Sequence, residues 1–239
     1  MKGVPVPPKG SIAAGGLLLA LFIGLGVAIT SNAPWVVDFN ATVVEYIRSF
    51  RSDALNTVAG LLNVSGDVVA TCVLAIVILA IIALNRMWDD FIFVAGNIIF
   101  AEIFFQICKL IFAVQRPQGV AIVDLPIGLA FPSAHTASTI LLMGIICMLL
   151  VCGHRKNQNS KPVLAFIILV LILLAVLMGI SRVYLGVHWP TDIIGSFLVA
   201  GAWLCPTIAW FLRQYPYERF HGGHDPYGLK GKHVSSHQG

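Results

Sequence analysis

Long stretches of this chain carry no charge at all. No Asp, Glu, Lys or Arg occurs between Lys9 and Asp38, Asp67 and Arg86, Asp124 and Arg155, Lys161 and Arg182, or Asp192 and Arg213. A sixth apolar run, from Phe91 to about Phe112, is interrupted only by Glu102 and Lys109. A helix needs about 20 apolar residues to cross a hydrocarbon core of about 30 Å. The pattern therefore predicts an all-α bundle of six transmembrane helices, near 11–33, 68–84, 91–113, 134–152, 163–181 and 192–212. Between the first two spans, Val43, Val44, Ile47, Phe50, Leu55, Val58, Leu61 and Leu62 recur at roughly helical spacing, with Arg48, Arg51 and Asp53 off that stripe. This predicts one amphipathic helix lying in the membrane interface.

Composition agrees with the pattern. Only 11% of the 239 residues are charged and 58% are hydrophobic, and the mean hydropathy is +0.88. Soluble domains carry about 25% charged residues, so a soluble globule and a disordered chain are both excluded. The net charge of +4 is small and scattered, which gives no basis for nucleic-acid binding. The cysteines Cys72, Cys108, Cys147, Cys152 and Cys205 all sit inside apolar runs without metal-ligand spacing and read as buried hydrophobes. Residues 1–212 form one membrane domain in this reading, and 213–239, rich in Gly, His and Pro, a loose tail.

Six spans put both termini on one side. With that side cytoplasmic, the inner segments collect Lys2, Lys9, Arg86, Arg155, Lys156, Lys161, Arg213, Arg219, Lys230 and Lys232, as the positive-inside rule requires. Ser31-Asn32-Ala33 faintly resembles a leader-peptidase site, but the apolar run before it is longer than a leader's core, so an uncleaved anchor is expected.

The remaining polar residues concentrate at four helix ends. Lys109 and Arg116 close the third span and Pro132-Ser133-Ala134-His135 opens the fourth; Ser181 and Arg182 close the fifth, and His188 and Asp192 open the sixth. In an alternating bundle these ends share one face, which the charge rule makes the outer one. Lys109 lies seven residues before Arg116, about two turns or ~10.5 Å along a helix, and a snorkelling ammonium beneath a guanidinium suits a phosphate. Alone, the pair equally suits two interfacial anchors on lipid headgroups. Ser133 is placed to cap the fourth span, whose first-turn amides form an anion site. His135 could exchange a proton there, although a single histidine is more commonly structural. Pro190 fits a first helical position. Asp192 can then reach back to His188, fixing the imidazole tautomer so that the other ring nitrogen is nucleophilic.

At these residues the chain resembles the type 2 phosphatidic acid phosphatase superfamily. Lys109-Leu-Ile-Phe-Ala-Val-Gln-Arg116-Pro117 matches its first signature, and Ser181-Arg182-Val-Tyr-Leu-Gly-Val-His188-Trp-Pro-Thr-Asp192 its third. The second reads Pro132-Ser133-Ala134-His135, with alanine where the family usually has glycine. The resemblance implies a metal-independent phosphohistidine mechanism without a cofactor, in which His188 attacks phosphorus, Asp192 orients it and His135 serves the leaving oxygen and then water. Lys109, Arg116, Ser133, Ala134 and Arg182 would bind the phosphate. Alanine at 134 would be strained if its φ were positive and costs nothing if it is helical. The implied substrates are membrane lipids such as undecaprenyl diphosphate, phosphatidylglycerol phosphate, phosphatidic acid or a lipid A phosphate. The implied location is a bacterial cytoplasmic membrane with the site facing outward.

Two other functions fit the same residues: a lipid phosphotransferase of the same fold, and a transporter that only holds an anion, which has no need of the His188 and Asp192 pair. Glu102 with Gln106 reads as an interhelical polar contact, and His221, His224, His233 and His237 as a solvated tail.

Overall fold

The computed structural model describes residues 9–154 and 161–214. Among them there is no strand. Eight helices follow one another as α1 (Lys9–Thr30), α2 (Pro34–Arg48), α3 (Asp53–Ser65), α4 (Val68–Leu84), α5 (Trp88–Phe112), α6 (Ala134–His154), α7 (Lys161–Tyr184) and α8 (Pro190–Gln214). The architecture follows from the solvent: in hydrocarbon every backbone N–H and C=O must be satisfied internally, and helices do this within one segment. Helices α1, α5, α6, α7 and α8 are each long and apolar enough to span a bilayer. The 17 residues of α4 make about 26 Å of helix, a little short of the hydrocarbon core. Joined to α3 through a 53° bend, it forms a pair long and apolar enough to count as a sixth, broken span. The chain is an integral membrane protein.

The region between the first two spans departs from expectation. Two helices, α2 and α3, stand where the apolar stripe predicts one. Contacts distant in sequence hold the break. The Arg51 guanidinium donates to the Tyr184 carbonyl at 2.8 and 3.3 Å and to the Val120 carbonyl at 3.1 Å. The Ser52 amide donates to the Tyr184 hydroxyl at 3.1 Å, and the Ser52 hydroxyl caps α3 by accepting from the Leu55 amide. Helix α3 then packs Ala59 against Tyr184, Leu185 and Val187.

Helix α6 occupies the middle of the bundle, touching α4, α5, α7 and α8, while α1 lies along α8. Lipid tails are as apolar as leucine, so helix association depends on close packing through small residues. Gly15 lies against the Ala202 carbonyl and Pro206, where the proline leaves that carbonyl without its usual intrahelical donor. A β-carbon on Gly26 would stand 2.2 Å from the Phe112 ring. That ring meets Phe131 edge-on at 5.2 Å, and Phe22 stacks on Phe131 at 5.1 Å. This buried aromatic cluster seats the segment that enters α6.

The long connection after α5 crosses one end of the bundle, over the end of α7 and the start of α6. It leaves α5 through Ala113 in a left-handed conformation, φ 49°. The Ala130 amide returns to the Val114 carbonyl at 2.7 Å, and the Ile122 amide to the Leu185 carbonyl at 3.0 Å. Gly186, at φ 78°, fits beneath it because a β-carbon there would lie 2.6 Å from the Val120 carbonyl oxygen.

Candidate active site

The start of α8 organises the site. Pro190 begins the helix and puts Asp192 in its first turn, where one carboxylate oxygen, Oδ2, accepts from the Trp189 amide at 2.8 Å and lies 3.1 Å from His188 Nδ1. The other His188 nitrogen, Nε2, is 3.0 Å from the Arg116 guanidinium. A guanidinium only donates, so Nε2 must present its lone pair and the proton must sit on Nδ1, facing Asp192. Both sides of the ring thus select one tautomer. His188 and Asp192 are completely enclosed, at 1% and 0% exposure. Burial, reinforced by the positive charges of Arg116, Arg182 and Lys109, holds His188 well below the ordinary histidine range. At neutral pH it is a neutral imidazole with a directed lone pair.

Helix α6 is tied to this turn through Ser196, whose hydroxyl donates to the Asp192 carbonyl at 2.8 Å and the Ser133 carbonyl at 3.0 Å. Ser133 is buried, and its own hydroxyl accepts from Thr136 at 3.2 Å. Ala134 is the first residue of α6 and is not among the residues with positive φ. The helical alternative therefore holds, and its β-carbon imposes no backbone strain.

Three cations act on His188, and Arg116 meets its lone pair directly. Arg182, at the end of α7, is fully buried; NH1 donates to the Asn63 side-chain carbonyl, while Nε and NH2 find no partner among the described residues. Unpaired buried donors on a cation are costly, and an anion would satisfy them. Lys109 donates to the Leu129 carbonyl at 2.7 Å and Arg116 to the Gly128 carbonyl at 3.0 Å. The two cations that the sequence places one above the other thus grip adjacent peptides of the connection. Arg116 also donates to the Val187 carbonyl at 3.0 Å, and burial lowers its ordinary basicity against the opposing pull of Asp192.

His135 faces the same space from α6. Its Nε2 lies 3.8 Å from a carboxylate oxygen of Asp67. A groove of about 290 Å³ runs from His135 between α4, α5 and α6, past Val68, Cys72, Ile98 and Glu102. Glu102, Gln106 and Ser138 of α6 share its lining.

The structure therefore brings Lys109, Arg116, Ser133, Ala134, His135, Arg182, His188 and Asp192 to one end of the bundle. Ser181 stands apart, its hydroxyl donating back to the Met178 carbonyl at 2.7 Å. The four tail histidines lie outside the described residues. Sequence reasoning missed Asn63 and Asp67, which reach the site from the α3–α4 corner, and Asn40, which tethers α2 to Thr191 through two hydrogen bonds of 3.0 and 3.1 Å. The only signal for Asp67 was its position at the edge of a charge-free run.

The sequence model of the PAP2 superfamily matches residues 90–216. The phosphatidylglycerophosphatase B of Bacillus subtilis is 41% identical over 68 residues, 28% of this chain and 32% of that protein. The decaprenylphosphoryl-5-phosphoribose phosphatase of Mycobacterium tuberculosis is 32% identical over 149 residues, 60% of this chain and 72% of the relative. Against the crystal structure of a transmembrane PAP2-type phosphatidylglycerolphosphate phosphatase from Bacillus subtilis, the TM-score is 0.73 at 25% identity, covering 86% of this chain and 99% of that one.

Proposed function

The chain belongs to the PAP2 superfamily, and on that premise we propose that it hydrolyses the terminal phosphate of a membrane lipid through a phosphorylated His188. The observation that carries the reading is the buried Nε2 lone pair, directed by Asp192 behind it and ringed by Lys109, Arg116 and an Arg182 with two unpaired donors. A transporter or lipid-binding protein would need the cations but not the oriented nucleophile.

In this mechanism the phosphate enters among the cations and Arg116 turns from Nε2 to a phosphate oxygen. Nε2 attacks phosphorus, the bond from phosphorus to the lipid oxygen breaks, and His135 as imidazolium gives that oxygen its proton. Asp192 compensates the positive charge that His188 acquires. Water then attacks the phosphorylated nitrogen's phosphorus, His135 takes the water proton, and His188 is released with inorganic phosphate. The net reaction consumes one water and yields inorganic phosphate with the free lipid alcohol, or with the lipid monophosphate where the substrate is a diphosphate. Lys109, Arg116, Arg182 and the α6 amides beginning at Ala134 stabilise the charge spread over the equatorial oxygens, which is most of what phosphoryl transfer asks of a protein. The groove beside His135 admits the lipid part laterally, so the headgroup reaches the site while the chain stays in hydrocarbon.

The relatives support a phosphomonoester carried by a lipid, such as phosphatidylglycerol phosphate, with phosphatidic acid and undecaprenyl diphosphate as further candidates. We place the site on the extracytoplasmic face of a bacterial cytoplasmic membrane, because Arg86, Lys161 and Arg213 mark the opposite end of the bundle. Inorganic phosphate released from a panel of lipid phosphates by purified, detergent-solubilised protein tests the reading. Release that persists with EDTA, is inhibited by orthovanadate and is lost in His188→Ala is expected. A strict need for an acceptor lipid would make the protein a transferase instead, and unchanged release from His188→Ala would overturn the assignment.

A further inference from the structure

The corner between α3 and α4 lies outside all three signatures, yet it touches the site at three points. Asn63 accepts from Arg182. Asp67 stands 3.8 Å from His135 Nε2. Gly66, between them, allows the close approach: a β-carbon there would lie 2.5 Å from the Met178 methyl and 3.5 Å from His135 Cδ2. The corner also carries the 53° bend that breaks this span. A straight helix would carry Asp67 along its own axis, whereas the bend delivers the carboxylate to the imidazole.

The charges around His135 give that carboxylate a purpose. Lys109 of α5, Arg116 of the connection and Arg182 of α7 gather at the same end of the bundle as the ring. Each opposes a proton on His135, yet a general acid must carry one. Glu102 lies farther along the groove. Asp67 is the carboxylate paired with this imidazole.

We infer that Asp67 is a positioning residue for His135: it orients the ring and supplies the counter-charge that lets it hold a proton amid three cations. The inference rests on the phosphatase reading above. With Nε2 facing Asp67, Nδ1 is the nitrogen left for the leaving oxygen. In the first step the Nδ1 proton passes to that oxygen as the bond to phosphorus breaks. The ring is then neutral, with its Nε2 proton held toward Asp67. In the second step Nδ1 takes a proton from water and the imidazolium is restored. This arrangement mirrors the His188–Asp192 pair, but on the acid rather than the nucleophile. Asp67 is more than half exposed, with a side chain 55% accessible, so solvent weakens its effect. The expected loss is one to two powers of ten, less than a fully buried partner would give.

Asp67 also caps α4, its carboxylate accepting from the Val68 amide at 2.8 Å. Asparagine caps a helix as well as aspartate does, so Asp67→Asn removes the charge and keeps the cap; Asp67→Ser repeats the test with a shorter capping side chain. The experiment compares kcat/KM, which reports steps through departure of the first product, for two substrates. One is a short-chain phosphatidic acid in detergent micelles, whose alkoxide leaving group needs the acid. The other is 4-nitrophenyl phosphate, whose phenolate leaves without much help.

Asp67→Asn and Asp67→Ser are expected to lower kcat/KM for the alkyl substrate by about tenfold or more and to affect the aryl substrate several-fold less. Equal losses on both substrates would reduce Asp67 to a structural cap and overturn the inference, as would no loss on the alkyl substrate. His188→Ala, run alongside, is expected to fail on both. Turnover in that variant would overturn the nucleophile assignment while leaving the Asp67 comparison readable by itself.

Discussion

Replacing Asp192 by asparagine tests how the proposed nucleophile, His188, is supported. In the structure one carboxylate oxygen accepts from both the Trp189 amide and the His188 ring, while the other, Oδ1, is buried without a partner among the described residues. An asparagine oxygen can occupy the first position and keep both hydrogen bonds, leaving its NH2 in the second. Geometry is then preserved and only the charge is lost. The tautomer survives too, because Arg116 can only donate to Nε2. What disappears is the attraction between the carboxylate and the positive charge that His188 gains on phosphorylation. With charge centres about 4 Å apart and an effective dielectric near 20, that attraction is about 4 kcal/mol. The residual amide dipole offsets part of it, leaving about 2–4 kcal/mol, or roughly 30- to 1000-fold in rate. Phosphate release under kcat conditions is the assay, with KM expected to change little because the lost interaction grows only as charge develops. A variant within about threefold of the parent, or one whose defect lies wholly in KM, would refute the reasoning.

Arg182→Gln removes the buried cation with two unpaired donors and should lower kcat/KM by about 10²–10³-fold, with a parallel weakening of orthovanadate inhibition. Ala134→Gly should leave turnover at the same order, since the residue is already helical; a large gain would show that its β-carbon obstructs the phosphate. His188 is held below the ordinary histidine value of 6.5 by burial and then by Arg116, so its neutral form persists as pH falls through that value. Arg116→Gln removes the largest of the depressing charges and should move the acid limb of kcat/KM to higher pH, whereas Arg116→Lys should leave it in place; the substrate's own ionisation is common to both profiles.

The spans were legible because hydrocarbon imposes one rule on every segment, and runs without charge such as 162–181 announce it directly. The gathering of polar residues at the helix ends was legible for a related reason, since Arg182 and His188 are costly at a membrane boundary and had to converge on something polar. The break between α2 and α3 was not. The apolar stripe continues through Phe50 to Leu55, and the interruption is made by Tyr184 and Val120, more than 60 positions away in sequence. The alanine at 134 could not be settled from the sequence either, because its cost depends on a backbone angle that no residue type states. Asp67 read as a helix boundary, since its partner His135 belongs to a different span and only the bend between α3 and α4 joins them.

The most direct test of the mechanism is the site of covalent phosphate. Protein mixed with a lipid phosphate, quenched in base during turnover and digested should yield one phosphorylated peptide carrying an acid-labile group on His188, absent from His188→Ala and, with 4-nitrophenyl phosphate as the donor, accumulated in His135→Ala. Phosphate on any other side chain, or sustained turnover of His188→Ala, would contradict the account.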